Sequence, residues 1–239
     1  MTAGEMYFEE LEKVLDRIRE TQADRIEEAA AACAKVIREG GLIYTFGTGH
    51  SHLLAEEIFY RAGGLAAVCP ILEEPLMLTH AARSSHMERL SGYAKLLLEE
   101  AAPVAPGVLF LFSNSGRNSV MVEMAGEAGK RGLTVIGITN MQHSTQTDSR
   151  DPSGRKLYEL CDIVIDNCGC VGDACVELYG RKSGATSTAA GTAILQAIVC
   201  RTVELCGGSA EVFCSANVDQ GDAVNEAYIR KYKGRVRNL

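Results

Sequence analysis

Short apolar runs rich in β-branched and aromatic residues recur along this chain, with helix-period stretches between most of them. The runs are "LIYTF" (42–46), "AAVCPIL" (66–72), "VLFLF" (108–112), "TVIGIT" (134–139) and "CDIVIDN" (161–167). Helical patterns follow at 51–62, 85–100, 118–131 and 186–206. A run that is apolar at every position is buried on both faces, as strands of a parallel sheet are. Strands alternating with helices place those helices on the two faces of one sheet. The pattern predicts an α/β fold, a three-layer doubly wound sandwich around a mostly parallel five-stranded sheet. Two helices precede the sheet. Leu11, Val14, Leu15 and Ile18 form one stripe, and Ile26, Ala29, Ala30, Cys33 and Ile37 form another, before Gly40–Gly41. A polar loop spans 140–155, long enough to suggest a functional or mobile segment. A final helix spans 222–233. No linker rich in Gly, Ser or Pro divides the 239 residues, so one domain is expected: an N-terminal helical extension (1–38), an α/β core (39–210) and a C-terminal helical tail (211–239).

Composition narrows the function classes. A hydrophobic content of 46% supports a packed core. A net charge of −7 with no basic stripe argues against nucleic acid as the main partner. No apolar run approaches the ~18 residues of a membrane helix, and the charged N-terminal stretch lacks a signal-peptide core. An odd number of cysteines, nine, set mostly in apolar runs, suits a reducing, cytoplasmic setting. The one cluster, Cys168, Cys170 and Cys175, lacks zinc spacing and a fourth ligand, so no metal is expected.

In a doubly wound sheet the ligand sits beyond the carboxyl ends of the strands. Two loops there carry similar chemistry. The first, "FGTGHS" (46–51), has Gly47 and Gly49 but places His52 where a dinucleotide fingerprint needs its third glycine. What remains is an anion-binding turn at a helix N-terminus. Ser51 either caps its own helix or donates its hydroxyl to an anion. The second loop, "SNSGRNS" (113–119), offers Ser113, Asn114 and Ser115 around Gly116, directly before a helix. Two such turns at the ligand edge of one sheet point to a phosphate held by hydroxyls and amides.

These two motifs, "FGTGHS" and "FSNSGRN", resemble Gly-x-Gly-x-Ser and Ser-x-Ser-Gly-x-Thr of the sugar isomerase (SIS) domain family. The resemblance covers roughly residues 35–210, with "SGATSTAAGTAILQAI" resembling the helix after the family's last strand. It implies that Ser113, Asn114, Ser115, Gly116 and position 118 grip a sugar phosphate, with Gly49, His50 and Ser51 nearby. Position 118 departs from the family's Thr; Asn118 can still cap a helix and bond an oxygen. Aldose–ketose isomerisation needs a base over two adjacent carbons, commonly a carboxylate, and a group that helps open the ring. Resemblance to phosphoheptose isomerases makes Glu57 or its neighbour Glu56 a base. The region after the second strand offers Glu74, His80, His86 and Glu88, and the reading places His86 and Glu88 at the start of a helix. Ser84 or Ser85 with Glu88 also fits a capping box. The catalytic set is therefore Glu57, Glu88 and His86, with no metal and no other cofactor. The resemblance also implies a homo-oligomer, dimer or tetramer. Tyr228, Ile229 and Tyr232 give the tail an apolar stripe for docking. Two alternatives stay open: etherase chemistry on a muramic acid phosphate, and a regulator that binds a sugar phosphate without turning it over.

Overall fold

The computed structural model describes residues 1–217 and 221–239. The tail segment 218–220 lies outside the described residues. Among the described residues, β1 (Leu42–Gly47), β2 (Val68–Pro70), β3 (Gly107–Phe112), β4 (Thr134–Thr139) and β5 (Ile163–Asp166) form one sheet in the order β2-β1-β3-β4-β5. Every neighbouring pair is parallel. The register aligns Gly47 with Phe112, Phe112 with Ile138, and Thr139 with Asp166. The carboxyl ends of four strands therefore stand side by side.

Period-two alternation divides these strands between two cores. Ile43, Val108, Phe110, Phe112, Ile136 and Ile165 face one layer. Leu42, Tyr44, Phe46, Leu109, Leu111 and Val135 face the other. Phe110 and Phe112 stack with centroids 6.2 Å apart. Each is essentially fully buried, so truncating either to Ala costs about 3–5 kcal/mol.

The first layer holds α1 (Ala3–Thr21), α2 (Ala23–Arg38), α3 (His52–Glu57) and α8 (Ser187–Cys206). A capping box between Thr2 and Glu5 starts α1. Gln22 alone separates α1 from α2, so the first two helices are distinct. Helix α8 is long and apolar enough to cross a membrane by length and composition, a signal the sequence reading passed over. Here Ala190, Ile194, Leu195, Ile198 and Val199 bury it against α2 and the sheet. Glu27 and Arg201 tie the two helices at their rim. The second layer holds α5 (Tyr93–Ala101), α6 (Ser119–Lys130) and α9 (Gly221–Tyr232). The stripe Tyr228, Ile229 and Tyr232 packs on this chain's own core, with Tyr228 edge-on to Phe213.

Several expected boundaries move, each for a tertiary reason. The helix expected at 51–62 stops at Glu57. Residues 63–66 are pulled out to pair with 211–213, through Gly63 to Phe213, Phe213 to Gly64 and Ala66 to Glu211. β2 is an edge strand, and so tolerates Pro70. The helix expected at 85–100 is two, α4 (Ala81–Met87) and α5, broken at Gly92. Gly92 has φ +83° and donates its N–H to both carboxylate oxygens of Glu123. The polar stretch 140–155 contains α7 (Met141–Thr145) and is bonded along its length to the β3 loop. Ser144 donates to Ser115 O, Arg150 N–H to Arg117 O, and Leu157 N–H to Gly116 O. A hairpin, β6 (Ala174–Leu178) and β7 (Arg181–Ala185), was not anticipated. Its turn, Tyr179-Gly180, has both φ positive, but lacks the Asn-Gly or Asp-Gly pair that advertises such turns.

Candidate functional site

Strand order reverses between β1 and β3: β2 lies on one side of β1, while β3, β4 and β5 run off on the other. Helix α3 leaves β1 toward the first layer and α6 leaves β3 toward the second. The loops at this switch point splay apart, and a crevice opens between them.

The β1 loop is shaped by two glycines. A Cβ on Gly47 would lie 2.4 Å from Ser51 O, and Gly49 has φ +56°. His52, in the third-glycine position, bonds Gly49 O through Nδ1 and closes the turn. Glu73, after β2, accepts from the Tyr93 hydroxyl. Ser51 has helical backbone angles and makes no capping bond, so the capping alternative falls away and its hydroxyl faces the crevice. His50 is exposed on the same turn.

The β3 loop is anchored from below. Ser113 Oγ accepts from Gly116 N–H at 3.1 Å, and Thr139 Oγ1 donates to Ser113 O at 2.6 Å. Gly116 needs its φ of +55°, and a Cβ there would press on Leu157 and Ser144. Among the described residues, the backbone N–H groups of Asn114, Ser115, Arg117 and Asn118 meet no protein acceptor. These donors lie just before α6, where the helix dipole adds positive potential. Asn118 stands at the N-cap of α6 but does not cap it. Its Oδ1 accepts from Arg150 at 3.1 Å, which corrects the expected capping role.

A buried chain of amides sets what Asn114 presents. Asn140 Oδ1 accepts from His143 N–H, so its Nδ2 must donate, and does so to Asn167 Oδ1 at 3.1 Å. Asn167 Oδ1 also takes Gly169 N–H, so Asn167 Nδ2 donates to Asn114 Oδ1 at 2.8 Å. Backbone donors at both anchor points thus fix every amide orientation. Asn114 is left with its Nδ2 donor facing the crevice. Sequence reasoning missed Asn140 and Asn167; the signal was an Asn directly after a strand in "TVIGITN" and "CDIVIDN".

Ser51, Leu54, Ser113, Asn114, Asn167 and Ser187 line a common pocket, so the two motif loops do meet. Ser187 and Thr188 come from the start of α8. Gly191 lets α8 approach α3, since a Cβ there would sit 2.5 Å from Leu54 Cδ1. Asp173 accepts from Thr186 N–H, Ser187 N–H and Ser187 Oγ, which offsets the positive end of α8. Among the described residues, no carboxylate accepts from the backbone N–H groups of the β1 and β3 loops in this way.

A cavity of about 590 Å³ lies at the opposite end of the sheet, between the start of β1, Pro106 and the C-terminal Arg235–Leu239. It borders the amino ends of the strands, away from both motif loops. Arg235 and Arg237 are tied to Gly40 O and Glu100. We place the site at the crevice.

The expected catalytic residues are distributed unevenly. Glu88 follows α4 rather than starting a helix, and makes no capping box: Ser84 Oγ donates to Ala81 O. Glu88 O accepts from Val120 N–H and Glu88 Oε2 from Thr48 Oγ1 at 3.1 Å. The carboxylate is thereby held between the β1 loop and the start of α6. His86 is exposed on the last turn of α4. Glu57 closes α3, where Gln196 Nε2 donates to its Oε1 at 3.0 Å and Arg61 pairs with it. The thiols of Cys168, Cys170 and Cys175 bond three separate backbone carbonyls, Asp166, Ala174 and Gly184.

Known proteins share this sequence and this architecture. A UPF0309 protein of Geobacillus thermodenitrificans is 40% identical over 238 residues, covering 97% of this chain and 96% of its own. A phosphoheptose isomerase from Francisella tularensis superposes with a TM-score of 0.57 at 16% identity, covering 85% of this chain and 100% of that one. The Vibrio vulnificus NanR protein complexed with ManNAc-6P gives 0.52 at 15% identity, covering 99% and 71%. At such identities the two structures show a common fold. The SIS domain family model matches residues 6–140, more than half of the chain, and this protein belongs to the SIS domain family.

Proposed function

We propose that this chain binds a phosphorylated sugar in the β1–β3 crevice and interconverts its aldose and ketose forms. The carrying observation is the pair of opposed loops, each offering uncapped donors to one crevice. The free amides of Asn114, Ser115, Arg117 and Asn118 are arranged for phosphate oxygens, with Asn114 Nδ2 and the hydroxyls of Ser51 and Ser115 beside them. Gly49 and His50 line the facing loop. Amide and hydroxyl donors supply the direct hydrogen bonds to a dianion in this reading.

Glu88 is the base in this reading. Thr48 fixes its carboxylate at the rim, and the base must remove the proton from C2 of an aldose and return it to C1 through the enediol. His86, two residues away and exposed, serves ring opening. Glu57 would have to release both Arg61 and Gln196 to act, so Glu88 is the stronger assignment. The domain layout, one unit of helical extension, core and tail, belongs to the same reading. So does a cytoplasmic homo-oligomer, dimer or tetramer: all nine cysteines are thiols, and Phe8 stands exposed on α1.

The test is proton exchange at C2 across a panel of sugar phosphates in D₂O, followed by NMR. Exchange by the native protein, absent in Glu88→Gln with binding retained, supports the isomerase. Saturable binding with no exchange supports a regulator; the Vibrio NanR fold, complexed with ManNAc-6P, is compatible with that. Lactate release from a muramic acid phosphate supports the etherase.

A further inference from the structure

Basic side chains gather beside the phosphate loop, and among the described residues none of them is held in a salt bridge. Arg117 lies within the loop, Arg150 bonds Asn118 Oδ1 at 3.1 Å, and Arg150 N–H bonds Arg117 O at 2.8 Å. Lys156 is 5% exposed, and its ammonium meets only Thr147, at 2.9 Å from Oγ1 and 3.1 Å from the carbonyl. Arg117 Nε is buried and has no hydrogen-bond partner. Among the described residues, none of the three forms a salt bridge, although the chain has 31 carboxylates to 24 Lys and Arg.

Such a cluster opposes folding. Burial and then Arg117 push the Lys156 ammonium below its ordinary range against the pull of Asp148 and Glu159; burial, then Arg117 and Arg89, do the same to Arg150 against Glu88. Lys156, the one fully buried cation of the three, has hydrogen bonds to Thr147 but no salt-bridge partner, which leaves its charge costly to bury. The arrangement is also fixed rather than loose, because segment 140–157 is bonded to the loop at Ser115, Gly116 and Arg117. Arg150 bonds Asn118 at the N-cap of α6 and lies within the electrostatic influence of Glu88, whose carboxylate Thr48 of the β1 loop holds.

We propose that Arg117 and Arg150, with Lys156 behind them, form a second anion subsite next to the phosphate loop. The ligand of this chain then carries two acidic groups, a phosphate on the loop amides and a carboxylate or second phosphate on the guanidiniums. Arginine's planar fork suits either oxyanion. This rests on the sugar-phosphate reading and narrows it to a phosphorylated sugar acid or a sugar bisphosphate.

Calorimetric titration of fructose 6-phosphate, 6-phosphogluconate and fructose 1,6-bisphosphate at fixed ionic strength separates the two levels. The native protein binds at least one bis-anion about ten-fold or more tighter than fructose 6-phosphate, one charged contact being about 1.4 kcal/mol. Arg150→Met, a change at an exposed side chain, removes that difference, and Arg150→Lys restores part of it. Equal affinity for all three probes overturns the second subsite and leaves the phosphate reading standing. So does an Arg150→Met variant that keeps the preference or weakens all three probes equally. Failure of every probe to bind overturns both.

Discussion

Asn167→Asp reverses the amide chain with little change in shape. The substitution keeps oxygens for Gly169 N–H and Asn140 Nδ2 but removes the Nδ2 donor that faces Asn114 Oδ1 at 2.8 Å. Two acceptors cannot face each other, so Asn114 turns its amide over. Its Nδ2 then serves the new carboxylate, and its Oδ1 faces the crevice. A bound phosphate loses a donor and meets an acceptor. A hydrogen bond to a charged group contributes about 1.5–3 kcal/mol, so affinity should fall roughly 10- to 150-fold. Stability should suffer less than in Asn167→Ala, which strands Asn140 Nδ2 and Gly169 N–H in a site only 4% exposed. Stranding two donors costs about 2–6 kcal/mol, and at about 2–4 °C per kcal/mol the melting temperature drops by about 4 °C or more. The assay is calorimetry with the sugar phosphate that the native protein binds best, alongside thermal melts. A double variant with Asn114→Ala should lose little more than either single change, since both act through one donor. Asn167→Asp with affinity within about two-fold of the native protein would refute the reasoning.

Further outcomes follow from the same geometry. Glu88→Gln should abolish C2 proton exchange and leave sugar-phosphate affinity within about two-fold, since the amide oxygen can still accept from Thr48. Gly191→Ala should lower stability by about 1–3 kcal/mol, read by denaturant melts, because its Cβ would overlap Leu54. His143 is pushed below its ordinary value of 6.5 by burial first, then by Lys156 and Arg117. A depressed histidine keeps the folded state neutral while the unfolded chain takes a proton, so its stability contribution holds above 6.5 and is lost as pH falls below it. Lys156→Met should raise the His143 pKa in an NMR titration and flatten that loss; an unchanged pKa would show that the cluster is not electrostatically coupled.

The parallel sheet was legible because "VLFLF" is apolar at every position and "LIYTF" at all but Thr45, short β-rich runs that suit strands covered on both faces. That the two motif loops would meet was legible because their residue types repeat at two strand ends. What failed depended on partners distant in sequence. Helix 51–62 has sound local periodicity, yet pairing of residues 63–66 with 211–213 outcompetes its last turn. Gly92 ends up under Glu123, thirty-one residues on, and so splits one expected helix and moves Glu88 from a helix start to the site's rim. Asn118 looked like a cap, and Arg150, from a loop expected to be functional or mobile, took its side chain. Ser113 and Ser115 looked equivalent. The fold gives Ser113 the task of shaping the turn and leaves Ser115 free for a ligand.

The most direct test of the account is a crystal structure of the complex with whichever sugar phosphate most raises the melting temperature. The account predicts a phosphorus atom at the carboxyl end of β3, with its oxygens within about 3.2 Å of the amides of residues 114–118. The hydroxyls of Ser51 and Ser115 should lie in the same shell. A ligand seated instead in the 590 Å³ cavity beside Arg235 and Arg237, at the other end of the sheet, would contradict it.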